Sequence, residues 1–370
     1  MNTFISKSEL SEKHNYALGI TPWKRENFAY FTGKDNCTFI ALREYERAVD
    51  LAERNKGRVI CWSSSVPSGL MHYAQHVGVE LFLVEDGFVR SSGLGIKLNM
   101  PASLCFSRAG IHYDATKPCE LETYLNTHEF TLEEERAGND LIEFMMARRI
   151  SKYNIKGSKP SWPTDRDGKR ILVVGQVEDD ASIKFGSPMI NTNADLMIRS
   201  RRDNPEASIV YRPHPDVSAG LRLGKLKDPE AIASADLISK SGDIFDLIEM
   251  ADEVHVMSSQ TGLEALMMGK KVVCYGQPFY SGWGLTVDVF PQERRTAFVT
   301  IGELISAAFV DYPVYIDPWN GTESDAFNTV KLIANSKTWP RAPRSYITAV
   351  WFKRKLLAAK RLKKKINDQA

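Results

Sequence analysis

Long apolar runs are missing from this chain of 370 residues. No stretch approaches the ~18 uncharged apolar residues of a membrane span, so no transmembrane helix is expected. The N-terminal MNTFISKSELSEKHN has no continuous apolar core either, and is read as carrying no secretory signal. The sequons at Asn36 and Asn320 are therefore expected to be accidental. Cysteine is scarce and unpaired in spacing: Cys37, Cys61, Cys105, Cys119 and Cys274 form neither a disulfide frame nor a zinc site. They read as reduced core thiols of a cytosolic protein. No His/Cys/Asp/Glu set has metal-ligand spacing, and neither a GxxxxGK[ST] phosphate loop nor a GxSxG nucleophile elbow is present. Net charge is also lacking: +2 overall gives no global signal for nucleic acid.

What is present is the composition of a soluble globular protein, 43% hydrophobic and 25% charged, long enough for two domains. From Tyr16 to Val84, the apolar runs YALGI, CTFIAL, RVICW and ELFLV alternate with an amphipathic segment from Arg43 to Lys56 and a short helix near Leu70 to His76. Strand, helix, strand at this spacing implies βαβ crossovers and a parallel sheet. One long helix is expected from Thr131 to Ile150, with acids early and arginines late. The aperiodic, proline-bearing stretch 151–170 reads as a linker. The alternation then resumes: ILVVG, a helix around Ala194 to Arg202, ASIVY, ADLIS, a helix from near Asp243, EVHVM, the helix GLEALMMG and KVVCY. The expected fold is α/β, GT-B-like, with two Rossmann-like domains whose parallel sheets face a central cleft. The boundaries are 1–150, a linker 151–170, 171–320, and C-terminal helices 321–370.

The polar motifs sit where strands end, which is where open α/β sheets hold ligands. ILVVG delivers Gln176, Glu178, Asp179 and Asp180; adjacent carboxylates repel, so the cluster is either a site or a solvated acidic turn. ELFLV delivers Glu85 and Asp86 on a glycine-rich loop, with Arg90, Ser91 and Ser92 as anion-binding groups beside them. ASIVY runs into Arg212 and His214, the histidine braced between Pro213 and Pro215 and suited to acid chemistry or a phosphate contact. EVHVM runs into Ser258, Ser259, Gln260 and Thr261 at a helix start, where N–H groups and hydroxyls can bind phosphate without metal. Thr261 and Glu264 also fit a capping box, while His255 is read as core. The aromatic, glycine-rich segment from Gly276 to Thr286 suits either a mobile sugar-facing wall or packing against the other domain. The segment from Tyr346 to Ile366 reads as a basic amphipathic helix, either lying on anionic lipid or packed and solvated.

Taken together, EDGFVRSSGLG, SKYN, GQVEDDASI, RPHPD and SSQTGLEALMMGKKVVCYGQPFYSGWG resemble the capsule polysaccharide synthesis family of bacterial β-Kdo transferases (KpsC-type), over roughly residues 80 to 320. The resemblance implies a retaining GT-B transferase with an N-terminal acceptor domain and a C-terminal domain binding CMP-Kdo, its donor substrate, with no cofactor. It implies that His214 meets the CMP phosphate, that Ser258 and Ser259 bind it, and that Glu85 or Asp86 is the acid/base. The family's Gln-Val-x-x-Asp pattern falls on Gln176, Val177 and Asp180, making Asp180 the nucleophile or cation-stabilising carboxylate, with Asp179 in reserve. Arg212, Gln176, Gln260, Thr261, Glu264 and Arg90 are the further substrate-binding candidates. The implied partners are CMP-Kdo and a glycolipid or polysaccharide acceptor of capsule or O-antigen; the basic tail adds an expected peripheral contact with the inner face of the cytoplasmic membrane, and the charge balance no nucleic acid. The alternatives are a sialyltransferase-like or other nucleotide-sugar enzyme, or a non-catalytic GT-B-like partner that recruits glycolipid.

Overall fold

The computed structural model describes residues 4–92, 98–150, 160–163, 168–336, 338–343 and 345–348. SKYN, most of the expected linker, the Gly93–Gly95 part of the glycine-rich loop and the basic tail beyond residue 348 lie outside the described residues. Among the described residues the strands are, in chain order, β1 (Asn15–Leu18), β2 (Cys37–Ile40), β3 (Arg58–Trp62), β4 (Leu81–Asp86), β5 (Ser103–Ser107), β6 (Arg170–Val174), β7 (Ser208–Arg212), β8 (Leu237–Ile238), β9 (Glu253–Val256), β10 (Lys271–Cys274), β11 (Val287–Asp288), β12 (Pro313–Ile316) and β13 (Glu323–Ser324).

They form two sheets. The first runs β13-β12-β5-β4-β3-β1-β2 and the second β11-β10-β9-β6-β7-β8. In the second sheet every pairing is parallel, and the central strands β6, β7, β9 and β10 are connected by helical crossovers. Its order reverses between β6 and β9, whose carboxyl ends therefore open a crevice at the switch point. The first sheet is parallel from β2 to β4, as the alternation predicts, but β5, β12 and β13 pair antiparallel. Among the described residues no helix lies between β4 and the segment SLCFS, and without a crossover the chain turns back alongside β4. Strand β12 departs from the expected boundaries: its residues, assigned by sequence to the second domain, complete the first sheet.

The helices between the sheets make close contacts across long stretches of the chain. The helix Leu132–Ala147 starts as its sequence indicates, with Thr131 and Glu134 forming a capping box. It packs on the helix Ile301–Ile305 so closely that a β-carbon at Gly138 would meet the Gly302 carbonyl, and one at Gly302 would lie 2.7 Å from the Glu135 carbonyl. Backbone cannot yield as a side chain can. Gly138→Ala is therefore expected to destabilise the protein by about 1–3 kcal/mol, read as an earlier urea midpoint at unchanged slope. At the end of the same helix, Arg149 pairs with Asp243, Asp246 and Glu249 around the helix Ile244–Met250 of the second lobe. One apolar core runs through both lobes, from Phe88 and Leu141 to Leu172, Val254 and Trp283.

The cysteines are unbridged. Burial pushes Cys61 up to about 12 and Cys37 and Cys119 to about 11, so these thiols stay protonated and inert. Among the described residues no helix is long and apolar enough to cross a membrane.

Candidate active site

Between the sheets lies a cleft of about 990 Å³. Most candidates named from sequence reach its wall: Glu85, Asp86 and Arg90 from the first lobe, and Gln176, Asp179, Asp180, Arg212, His214, Ser258, Ser259, Gln260, Thr261 and Glu264 from the second, whereas Glu178, Ser91 and Ser92 do not line it. Their roles differ sharply once their partners are followed.

At the switch point, Gln176 ties the ends of β6 and β9 together. Its Oε1 accepts from the Ser258 backbone at 2.8 Å and its Nε2 donates to Ser258 Oγ at 3.2 Å. Beside it the three acids avoid mutual repulsion by taking separate partners. Glu178 accepts from the Asn193 backbone at 2.8 Å, and Asp179 pairs with Arg222 at 3.1 Å on the cleft rim. Asp180 caps the short helix Ala181–Gly186, accepting from the Ser182 backbone and hydroxyl at 3.1 Å, both through Oδ1. Of the three, Asp180 combines a cleft position with no cationic partner among the ion pairs of the described residues.

His214 caps the turn Pro215–Ser218, its Nδ1 accepting from the Asp216 backbone at 3.1 Å. The neutral ring therefore carries its proton on Nε2, the form that donates to an anion. Arg212 behaves otherwise than its sequence position suggests. Its guanidinium donates to the carbonyls of Ser239, Ser241 and Gly242 at 2.6 to 3.1 Å, bracing that turn. The capping box expected at Thr261 is corrected too: the N-cap of the helix Gln260–Met267 is Ser259, which accepts from the Thr261 backbone at 3.2 Å. Ser258 Oγ donates to the Ser182 carbonyl at 3.0 Å, linking the two capped helices.

In the first lobe the neighbouring acids are driven apart. Burial opposes ionisation of Asp86 most strongly, yet Arg90 at 2.7 Å and Lys24 at 3.1 Å overcome it and hold this carboxyl well below its usual range. Lys24 itself sits 3.8 Å over the Trp62 ring, its ammonium pulled below its ordinary value by burial. Glu85 makes no ion pair among the described residues. Burial and then the Asp86 charge push it up to about 7, against a 2.6 Å bond donated by Ser63 Oγ. A pair so separated supplies one permanent charge and one group able to exchange a proton near neutrality.

Sequence reasoning did not find Ser63, Lys24 or Tyr113. Ser63 was within reach, since it follows β3 at the strand's carboxyl end; Lys24 and Tyr113 come from turns with no distinguishing pattern. The glycine-rich aromatic segment packs against the other lobe and also contributes Phe279 and Tyr280 to the cleft wall. Tyr280 and Trp283 are fully buried, while Phe279 lines the cleft and meets Phe88 of the other lobe at 4.4 Å between centroids. Among the described residues, no group of three or more His, Cys, Asp or Glu could hold a metal ion.

Residues 57–316 match the family model described as "Capsule polysaccharide biosynthesis protein". Among curated proteins, the chain is 36% identical over 322 residues to the capsule polysaccharide modification protein LipA of Neisseria meningitidis serogroup B, covering 87% of this chain but 46% of that one. The chain thus spans about half the length of that relative. Two solved structures from Thermosulfurimonas dismutans KpsC are similar over most of the chain. The β-Kdo 2,7 transferase is 36% identical with a TM-score of 0.70, over 88% of this chain and 100% of that one. The β-Kdo 2,4 transferase is 29% identical with a TM-score of 0.73, over 87% and 98%.

Proposed function

The chain belongs to the capsule polysaccharide biosynthesis protein family, and from that membership we propose that it is a metal-independent, retaining β-Kdo glycosyltransferase, moving Kdo from CMP-β-Kdo to a capsule glycolipid or O-antigen acceptor. The observation that carries the reading is the meeting, in one cleft, of a neutral-range carboxyl on one lobe with the Asp180 carboxylate and a set of imidazole, hydroxyl and backbone N–H groups on the other. In the proposed reaction, Asp180 bonds to or shields the anomeric carbon as the bond to the CMP phosphate breaks. The charge developing on that phosphate meets the Nε2–H of His214, the Ser259 hydroxyl and the N–H groups opening the helix Gln260–Met267. Glu85 then takes the proton of the acceptor hydroxyl as its oxygen replaces Asp180, giving net retention by two displacements.

The deciding experiment supplies CMP-Kdo, generated in situ, with a panel of Kdo-primed and O-antigen acceptors. Expected is acceptor-dependent CMP release and a β-linked product by NMR. A melting temperature raised by UDP but not CMP would overturn the donor assignment.

Because Glu85 acts in its ionised form, kcat/KM is expected to rise with pH through about 7. Stability runs the opposite way. Folding raises this pKa, so the folded chain holds the proton more tightly, and the contribution is complete at acid pH and lost as pH rises through 7. Glu85→Gln should accordingly melt higher than the wild type at pH 8, converge with it near pH 4, and be inactive at both. Equal melting at pH 8 would show Glu85 to be unburdened by burial.

The proposal extends to a cytoplasmic, membrane-peripheral location through the basic segment from Tyr346 to Ile366. Flotation with anionic vesicles, lost on deleting that segment, is the expected result.

A further inference from the structure

The end of β3 and the loop after β5 bring a chain of two hydroxyls to Glu85. Tyr113 Oη donates to Ser63 Oγ at 2.9 Å, and Ser63 Oγ donates to Glu85 Oε2 at 2.6 Å, while Oε1 accepts from the Asp86 backbone at 3.1 Å. Ser63 and Tyr113 both line the cleft. The tyrosine's loop is gripped by the second lobe: the Ala115 backbone donates to the Phe185 carbonyl at 3.2 Å, and Gln292 and Arg294 donate to the Ala115 carbonyl at 3.0 and 2.9 Å. Phe185 lies on the helix that Asp180 caps.

We propose that Ser63 and Tyr113 are positioning residues for Glu85, a hydroxyl chain that orients its carboxylate and favours its ionised form, with the tyrosine end set by the donor-side lobe. The inference rests on the reading of Glu85 as the group that takes the acceptor's proton. A carboxylate accepting a short bond from a hydroxyl is stabilised in its charged form, and a serine whose oxygen itself accepts from a phenol is the better donor. The other groups facing Glu85 are accounted for. Asp86 raises its pKa and Lys24 lowers it, with Arg90 engaged on Asp86; Cys105, its register partner on β5, is a protonated thiol. Tyr113 is held un-ionised, burial first and then the charges of Glu85, Asp114 and Asp180 pushing its phenol above its usual range, so it stays a donor.

The test is a carbon-13 NMR titration of the side-chain carboxyls in the full chain, the Glu85 signal being identified by its loss in Glu85→Gln. In Ser63→Ala the Glu85 midpoint should move upward by roughly one pH unit. In Tyr113→Phe it should move upward by less, and Ser63→Thr should leave it nearer the wild-type value than Ser63→Ala does. A midpoint unmoved or lowered in Ser63→Ala would overturn the proposal. Should that variant fail to fold, Tyr113→Phe decides alone, an upward shift supporting the proposal and an unmoved midpoint overturning it. With CMP-Kdo and acceptor, the acid limb of kcat/KM should follow the titration in each variant; a fall in kcat with an unmoved limb would mark a merely structural role and overturn it. If the wild type transfers no sugar from any donor, the proposed function fails, while the titration still decides the hydroxyl chain.

Discussion

Asp180→Asn is expected to bind CMP nearly as the wild type does and to turn over roughly 10²–10⁴ times more slowly. The two halves of that expectation come from two uses of one side chain. As an N-cap, Asp180 supplies Oδ1 to the Ser182 backbone and hydroxyl, and asparagine caps a helix about as well. The helix Ala181–Gly186 should therefore survive, and with it the Ser258 contact to the Ser182 carbonyl on the side of the cleft proposed to hold the CMP phosphate. In the proposed reaction, what asparagine could not supply is a negative charge at the sugar's anomeric carbon, where the breaking donor bond leaves a deficit of electrons. Calorimetric titration with CMP and rapid-quench single turnovers separate the two effects. Wild-type turnover would remove Asp180 from the mechanism, and lost CMP binding would recast it as a scaffold group.

Arg295→Met is expected to be the most damaging single change to stability outside the core, by about 3–5 kcal/mol. Arg295 and Glu122 face each other at 3.1 Å with side chains 4% and 6% exposed. Arg294 also reaches Glu122, at 2.7 Å, which places the expected loss toward the lower end of that range. Methionine would also strip the donors that the Ser281 carbonyl and hydroxyl meet at 2.8 and 3.1 Å, and the bond to the Pro278 carbonyl. Those carbonyls hold the aromatic segment whose Phe279 forms part of the cleft wall. Chemical denaturation reads the loss directly. Adding Glu122→Leu should recover part of it, since removing both charges leaves no buried ion without a partner.

The second lobe was largely legible in the sequence, and for a physical reason. A strand buried on both faces has to be a β-branched run, and the place where that run stops in favour of polar residues is the end of the strand. Gln176, Asp180, His214 and Ser258 could all be located this way, and the structure brings them to one crevice. What could not be read is what depends on partners distant in the chain. Arg212 stands at a strand end like the others, yet the turn 239–242 captures its guanidinium. Glu85 and Asp86 are adjacent and chemically alike, and Lys24, 62 residues away, helps decide which keeps its proton. The antiparallel half of the first sheet escaped for a similar reason, since β12 meets β5 only after the chain has built the whole second lobe.

That late return of the chain has a practical corollary. The hairpin of β12 and β13 covers the flank of β5, so a fragment ending at residue 150 would carry an uncovered row of backbone donors and acceptors. Such a flank recruits other copies, and the truncated piece should precipitate where the intact chain does not. A split reporter or a circular permutant cut from this scaffold would have to keep residues 313–324 on the same piece as residues 103–107.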